Sequence, residues 1–390
     1  MYYKEKEMLL GIIDDFVNMK PSEPPKDINW DIVATYVDRQ QLSAIVYYQY
    51  KKQGQVIKSL ESSFYSQVAR SVVEKKLLTE IDDAFAKNDI SYMVLKGMEV
   101  ATIYPCTSLR TMGDIDILIH QEDRDRAHCV LTEMKYVAQN NFENEWSYAK
   151  NNHAVELHYN LLTELASAGH TPGIQNFLSD LWDHCDSYDS SARSHLKWEY
   201  HLVYLLIHMR QHLMGGGIGI RQFMDVAVVI NQKQLDWQLI EKLLSNVDLF
   251  RFAQVVFSLC NHWFKVDTPI KGSIDGAFYD EVFEKVTEGG VFGHFDESNS
   301  INMVTNHTNR RGKIGATLFN LFPSYAYCRT QKQYAFVAGK PYLTPIAWVL
   351  RIFNSIKSGN TIVAVKNALV PFTQNEKIEK RNQYLQNWGL

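Results

Sequence analysis

Asp114 and Asp116 stand two residues apart in Gly113-Asp-Ile-Asp-Ile-Leu-Ile-His120. The alternation reads as a strand, with Ile115, Ile117 and Ile119 pointing one way and Asp114, Asp116, Leu118 and His120 the other. Both carboxylates then leave one face, their Cα atoms roughly 6.6–6.8 Å apart. Asp is disfavoured in strands and like charges on one face repel, so something must compensate: surface solvation, or a divalent cation held between them. Magnesium suits the second, since it takes a few carboxylates together with phosphate oxygens and water. A third carboxylate, Glu156, follows in Ala154-Val-Glu-Leu-His-Tyr159. In that second strand it alternates with Val155 and Leu157 and shares a side with His158. Upstream, Lys96-Gly97 ends a strand and opens a helix, offering backbone N–H groups and a cation to phosphates. Arg110, four residues before Asp114, can reach the same cleft.

These residues need elements to hold them. Residues 1–90 read as helical. Met8, Leu9, Ile12, Ile13, Phe16 and Val17 make one apolar face, closed by Pro-Ser-Glu-Pro-Pro at 21–25, and Ala69, Val73, Leu77, Ile81 and Phe85 make a stripe on a longer packing helix. The pattern then changes to strand Tyr92–Lys96, a short helix Met98–Tyr104 stopped by Pro105, the Asp-x-Asp strand, a helix capped by Asp123 and running through Met134, a polar Asn-rich passage, and the Glu156 strand. Helices follow near 198–213, 221–232, 235–246, 249–264 and 277–287. Residues 288–313, rich in Gly, Asn, Ser and Thr, read as a loop or linker, and 314–390 as a basic, aromatic region with helices near 345–357 and 361–370. There is no internal repeat.

The order of strand, Lys96-Gly97, short helix, Arg110, Gly113-Asp-Ile-Asp-Ile and Val155-Glu-Leu-His-Tyr159 resembles the polymerase-β-like nucleotidyltransferase superfamily. More closely, it is similar to an uncharacterised bacterial nucleotidyltransferase family with the pattern Leu-Lys-Gly, Arg, Asp-Ile-Asp, Glu-Leu-His-Trp. The likeness is strongest over 91–160 and extends loosely to His208, His212, Arg221 and Asp225. It implies an α+β fold: a minimal mixed β-sheet core with helices at 91–165, embedded in helical N- and C-terminal regions, with a helical domain at 166–287. It also implies two Mg²⁺ ions (or Mn²⁺) around a nucleoside triphosphate, ATP first among the candidates. Asp114 and Asp116 become ligands of both metals and Glu156 the third ligand beside the attacking oxygen, and Lys96, Gly97, Arg110, His158, His212 and Arg221 become substrate contacts. The reaction is an in-line displacement onto an unidentified acceptor, with pyrophosphate leaving. One departure stands out: the superfamily has Gly-Gly or Gly-Ser at the phosphate turn, whereas Lys96-Gly97 is followed by Met98 and offers no hydroxyl. Lys96 would then act as a point charge, or the backbone alone would supply the contacts.

Other features have plainer readings. His208 and His212 are four apart, but Met-Arg-Gln lies between them, without the Glu of a zinc-protease helix. They fall about 100° from the face of Leu202, Leu205, Leu206, Met209 and Leu213, at a packing edge or on the wall of the cleft. Arg221 and Asp225 fit an ordinary i, i+4 ion pair as well as a cleft role. Gly215-Gly-Gly-Ile-Gly219 follows a helix and lacks the Lys-Ser/Thr of a phosphate loop, so it reads as a helix terminator. Two other function classes stay open: a nucleotide-sugar glycosyltransferase using the Asp-x-Asp pair, and a catalytically silent nucleotide-binding or interaction protein.

Composition narrows the setting. The chain has 390 residues, 46% hydrophobic and 22% charged, which excludes global disorder and points to two or three domains. No apolar run reaches the roughly 18–20 residues of a membrane span. Lys4, Glu5, Lys6, Glu7, Asp14 and Asp15 interrupt the first twenty residues, unlike a secretory signal, and five scattered cysteines without a CxxC pair fit a reducing cytoplasm. The net charge of −4 conceals a polarity: residues 301–390 carry twelve Lys or Arg against Glu376 and Glu379, a balance of +10, leaving −14 on the first three hundred. Such a section suits an anionic partner or the chain's own acidic part. No nucleic-acid-reading motif accompanies it, whereas Trp348 and Phe353 beside Arg351 and Lys357 are compatible with a peripheral contact to an anionic membrane.

Overall fold

The computed structural model describes residues 3–23, 28–141, 145–161, 171–187, 192–215, 217–290, 312, 314–315, 317–318, 321–330, 332–357 and 372–390. At its centre lies a seven-stranded mixed sheet in the order β3-β4-β5-β2-β1-β7-β6. The strands are β1 (Tyr92–Val94), β2 (Asp114–Ile119), β3 (Val137–Asn141), β4 (Glu145–Lys150), β5 (His153–His158), β6 (Cys185–Ser187) and β7 (Arg193–Leu196). β2 pairs antiparallel with β1 and parallel with β5, while β3, β4 and β5 form an antiparallel meander.

This sheet is wider than the sequence pattern predicts. The Asn-rich passage before β5 builds β3 and β4, whose place is decided by pairing with β5 and by the burial of Tyr148. Two further strands, β6 and β7, come from beyond residue 165; they are only three and four residues long and carry too little periodicity to be recognised alone.

The sheet separates two apolar cores. On one face Ile115, Ile117 and Ile119 pack with Leu77, Ile81 and Phe85 of α4 (Lys58–Lys87) and with Ala127 and Leu131 of α6 (Arg124–Glu133). On the other, Met93, Leu118 and Leu196 join a larger core. That core is shared by α1 (Tyr3–Val17), α2 (Trp30–Arg39), α3 (Ser43–Lys51), α7 (Pro172–Ser179), α8 (Trp198–Gly215), α9 (Ile220–Gln232), α10 (Trp237–Asn246), α11 (Phe250–Phe264) and α12 (Gly276–Glu288), and the bounds of α8 to α12 lie within a few residues of those expected. The last helix, α15 (Asn375–Asn387), returns to it: Trp388 is fully buried against Phe223, Phe252 and Phe278, and Arg381 donates to the Leu213 carbonyl.

Three local expectations change. Along α4 the stripe holds at Leu77, Ile81 and Phe85, but Ala69 and Val73 are exposed. Steps of four gain about 40° on the helix each time, so a strict four-residue stripe rotates off the sheet; there the buried positions are Ser71 and Glu74, the latter bonded by Arg70 at 2.7 Å. Asp123 sits at the N-cap position of α6, but its carboxylate pairs with Arg126 and caps no backbone N–H. The helix after β1 is shorter than predicted, α5 (Gly97–Ala101). The expected helix near 361–370 and nearly all of the loop at 288–313 lie outside the described residues.

Candidate active site

Parallel pairing of β2 with β5 sets Asp116 directly opposite Glu156. Asp114, Asp116 and Glu156 line a cavity of about 340 Å³ on the sheet face that meets the helices. Its opposite wall is built by Leu205, His208, Met209 and His212 of α8 and by Arg221, Gln222 and Asp225 of α9. Asp116, Glu156 and His158 can each offer a ligand atom within 4.8 Å of the others. Carboxylate oxygens suit a hard divalent cation, so Asp116 and Glu156 fit magnesium or manganese, with Asp114 beside them. The imidazole of His158 fits better as an orienting partner, its Nε2 3.1 Å from Asp116 Oδ1 and its Nδ1 3.3 Å from a Glu145 oxygen.

The charges are strongly coupled. Burial would raise the Asp116 carboxyl, but the Lys96 ammonium at 2.6 Å and the His158 bond hold it well below the usual carboxylate range. Glu156 has only the His158 ring, Nε2 3.6 Å from its Oε2, to oppose this: burial and then the Asp116 and Asp114 charges push it up to about 7. Asp114 is likewise raised, by burial and by Asp116. Burial acts to neutralise His158, yet its bonds to Asp116 and Glu145 hold it at about 9. A cation between these carboxylates would relieve the repulsion that, together with burial, raises Glu156.

Lys96 occupies an unusual position. Its backbone has φ 50° and ψ −119°, a conformation that suits glycine, and it immediately precedes α5. A lysine therefore stands where the backbone favours glycine. Gly97 is constrained by space: a Cβ there would lie 2.6 Å from Arg110 Nη1 and 3.1 Å from Met112 Cγ.

Arg110 is in the cavity wall, but its guanidinium is committed to Asp225, with Nη2 2.6 Å from Oδ2 and Nε 3.2 Å from Oδ1. Tyr104 donates to the same Oδ1 at 2.7 Å. The helical pairing of Arg221 with Asp225 is thus replaced by a bond across the fold. Arg221 instead donates through Nη1 to the Thr111 hydroxyl at 2.6 Å, the Thr111 carbonyl at 3.0 Å and Gln41 Oε1 at 3.0 Å. Burial and the neighbouring Arg110 lower its pKa to about 10, and its buried Nε has no hydrogen-bond partner among the described residues. His208 and His212 meet at 2.8 Å between their Nε2 atoms, both held toward the neutral form by burial and by Lys96. Glu145 was not anticipated; it lies on β4, opposite His158 in register, and only recognition of that strand could have found it. Gly215 ends α8 and Gly219 caps α9, as a helix-terminating glycine run should.

A mixed sheet that sets an Asp-x-Asp strand beside a glutamate strand, facing a helical wall, is the α+β arrangement implied by the resemblance. The chain belongs to the family described as "Uncharacterised nucleotidyltransferase", whose sequence model matches residues 26–265. Among curated proteins none matches the chain. The match spans the sheet, both walls of the cavity and most of the helical core, and it leaves 1–25 and 266–390 outside. Among the described residues no helix is long and apolar enough to cross a membrane.

Proposed function

We propose that this chain is a divalent-cation-dependent nucleotidyltransferase, moving a nucleoside monophosphate from a triphosphate, ATP first among the candidates, to a hydroxyl or phosphate of an acceptor. The observation that carries the reading is the β2–β5 register, which sets Asp116 beside Glu156 in the cavity that Asp114 also lines. Asp114, Asp116 and Glu156 would hold the cations, magnesium or manganese. When bound, they would supply charge neutralisation at the phosphates and activation of the acceptor oxygen. His158, tied to Asp116 and Glu145, keeps the Asp116 carboxylate ionised and oriented. Arg221, whose Nε has no partner among the described residues, is the cation best able to donate to a phosphate, while Arg110 serves to fix the Asp225 side of the wall. Lys96 and the Gly97 backbone lie where the phosphates would pass between sheet and helix. His212 closes the wall from α8, and its neutral imidazole offers a hydrogen bond without repelling a cation.

One observation favours a second reading, a silent nucleotide binder: the Lys96 ammonium already neutralises Asp116. A single experiment separates the two. Thermal unfolding with each ribonucleoside triphosphate, with and without magnesium, is paired with measurement of released pyrophosphate in the presence of candidate acceptors. Wild type should gain about 2.7 kcal/mol at a hundredfold of Kd, only with metal, and Asp116→Asn should lose that gain. Pyrophosphate release that is absent in the variant supports transfer. Binding without release supports the silent binder, and no metal-dependent stabilisation refutes both.

A further inference from the structure

The region beyond the family match carries an apolar surface that none of the described residues covers. Twelve of the eighteen large apolar side chains that are exposed among the described residues fall between Ile314 and Phe372. Half of those twelve lie on one helix, α14 (Thr344–Lys357). The inner face of this helix is satisfied: Thr344 and Ala347 are buried, and half-buried Trp348 donates from Nε1 to the Pro323 carbonyl at 2.8 Å. Cys328 of α13 (Tyr325–Thr330), Tyr334, Val337 and Ala347 make the small core beneath it. The outer face presents Ile346, Val349, Leu350, Phe353 and Ile356, at helical spacing of three and four, with Val349 at 66% and Phe353 and Ile356 at 59% exposure. A helix anchored from within needs no apolar residues there, and exposing them to water is unfavourable. Among the described residues nothing covers this face.

Charge decides what would cover it. From Ile301 to Asn375 there are nine Lys or Arg and no Asp or Glu. Exposed Lys340 precedes the helix and exposed Lys357 closes it, so cations bracket the apolar stripe and no carboxylate interrupts it. This is the order of a helix lying in a lipid interface, with its side chains in the acyl boundary and its ammonium groups among anionic headgroups. The first three hundred residues, at −14, are repelled by the same surface, so contact through the basic section is favoured over contact through the rest of the chain. We infer that α14 is a peripheral docking surface for an anionic membrane. The inference is independent of nucleotidyl transfer, since it uses no residue of the cavity.

The test is flotation of the full chain with vesicles of phosphatidylcholine alone or of phosphatidylcholine with phosphatidylglycerol. Wild type should float with the anionic vesicles and be released by salt. Val349→Glu/Phe353→Glu should weaken binding by more than tenfold, because two carboxylates enter the apolar face. Lys340→Gln/Lys357→Gln should cost about fivefold per charge removed. All four positions are exposed, so the far-ultraviolet circular dichroism of both variants should match wild type. The inference is overturned if anionic vesicles capture no protein, if either variant binds as wild type, or if the glutamate variant instead breaks a dimer that forms without lipid.

Discussion

Removing Asp225 tests whether the cavity wall is held by the ion pair that crosses the fold. The Asp225 carboxylate is buried and takes Arg110 at 2.6 and 3.2 Å and the Tyr104 hydroxyl at 2.7 Å, joining the loop before β2 to α9. Burial acts to discharge Arg110, but Asp225 reverses this and holds the guanidinium above its usual pKa, so it stays charged. Asp225→Ala leaves that charge buried with one remaining bond among the described residues, to the Thr111 carbonyl at 3.2 Å, and leaves the Tyr104 hydroxyl without its acceptor. Breaking one partner of a buried pair costs about 3–5 kcal/mol, against a total of about 5–15 kcal/mol for a typical protein. Urea unfolding at neutral pH reads this as a fall in midpoint of about 1 M or more. The double variant Arg110→Ala/Asp225→Ala should be less damaged than the sum of the singles, with a coupling of about 2 kcal/mol. If the two single costs add within about 0.5 kcal/mol, the pair does not carry the wall and the reasoning fails.

Two other outcomes are expected. His201 is fully buried on α8, its ring nitrogens have no hydrogen-bond partner among the described residues, and burial lowers its pKa to about 4 despite Glu99 and Asp225. The unfolded chain therefore binds a proton between about pH 6.5 and 4 that the folded chain refuses. Stability is complete above that window and falls on acidification, by about 2 kcal/mol from this group at pH 5. Denaturation of His201→Leu at pH 8 and pH 5 should show a correspondingly smaller acid loss, and an equal loss would disprove the assignment. At the cavity, Lys96→Met removes the ammonium that neutralises Asp116, so magnesium alone should raise the melting temperature of the variant more than that of wild type. Equal shifts would mean that Lys96 does not compete with the cation.

The candidate site was legible wherever residue type and period coincide. Asp114 and Asp116 on one strand face, Glu156 sharing a side with His158, and the break at Lys96-Gly97 all follow from two-residue alternation and turn chemistry, because these are local properties of the backbone. The helices from 198 to 288 were legible for the same reason, their apolar faces being long and regular. Three arrangements were not. The β3–β4 meander has a polar sequence, and its strands exist because β5 offers an edge to pair with; Glu145 reaches His158 only through that register. Asp225 bonds Arg110, 115 positions away, instead of the neighbouring Arg221, because packing α9 against the loop before β2 brings the two buried charges together. Lys96 turns to Asp116 across a strained backbone that no spacing rule anticipates. Spacing along the chain tells which side chains share a face; which face meets which, and so where each charge finds its partner, is settled only when the sheet and helices close on one another.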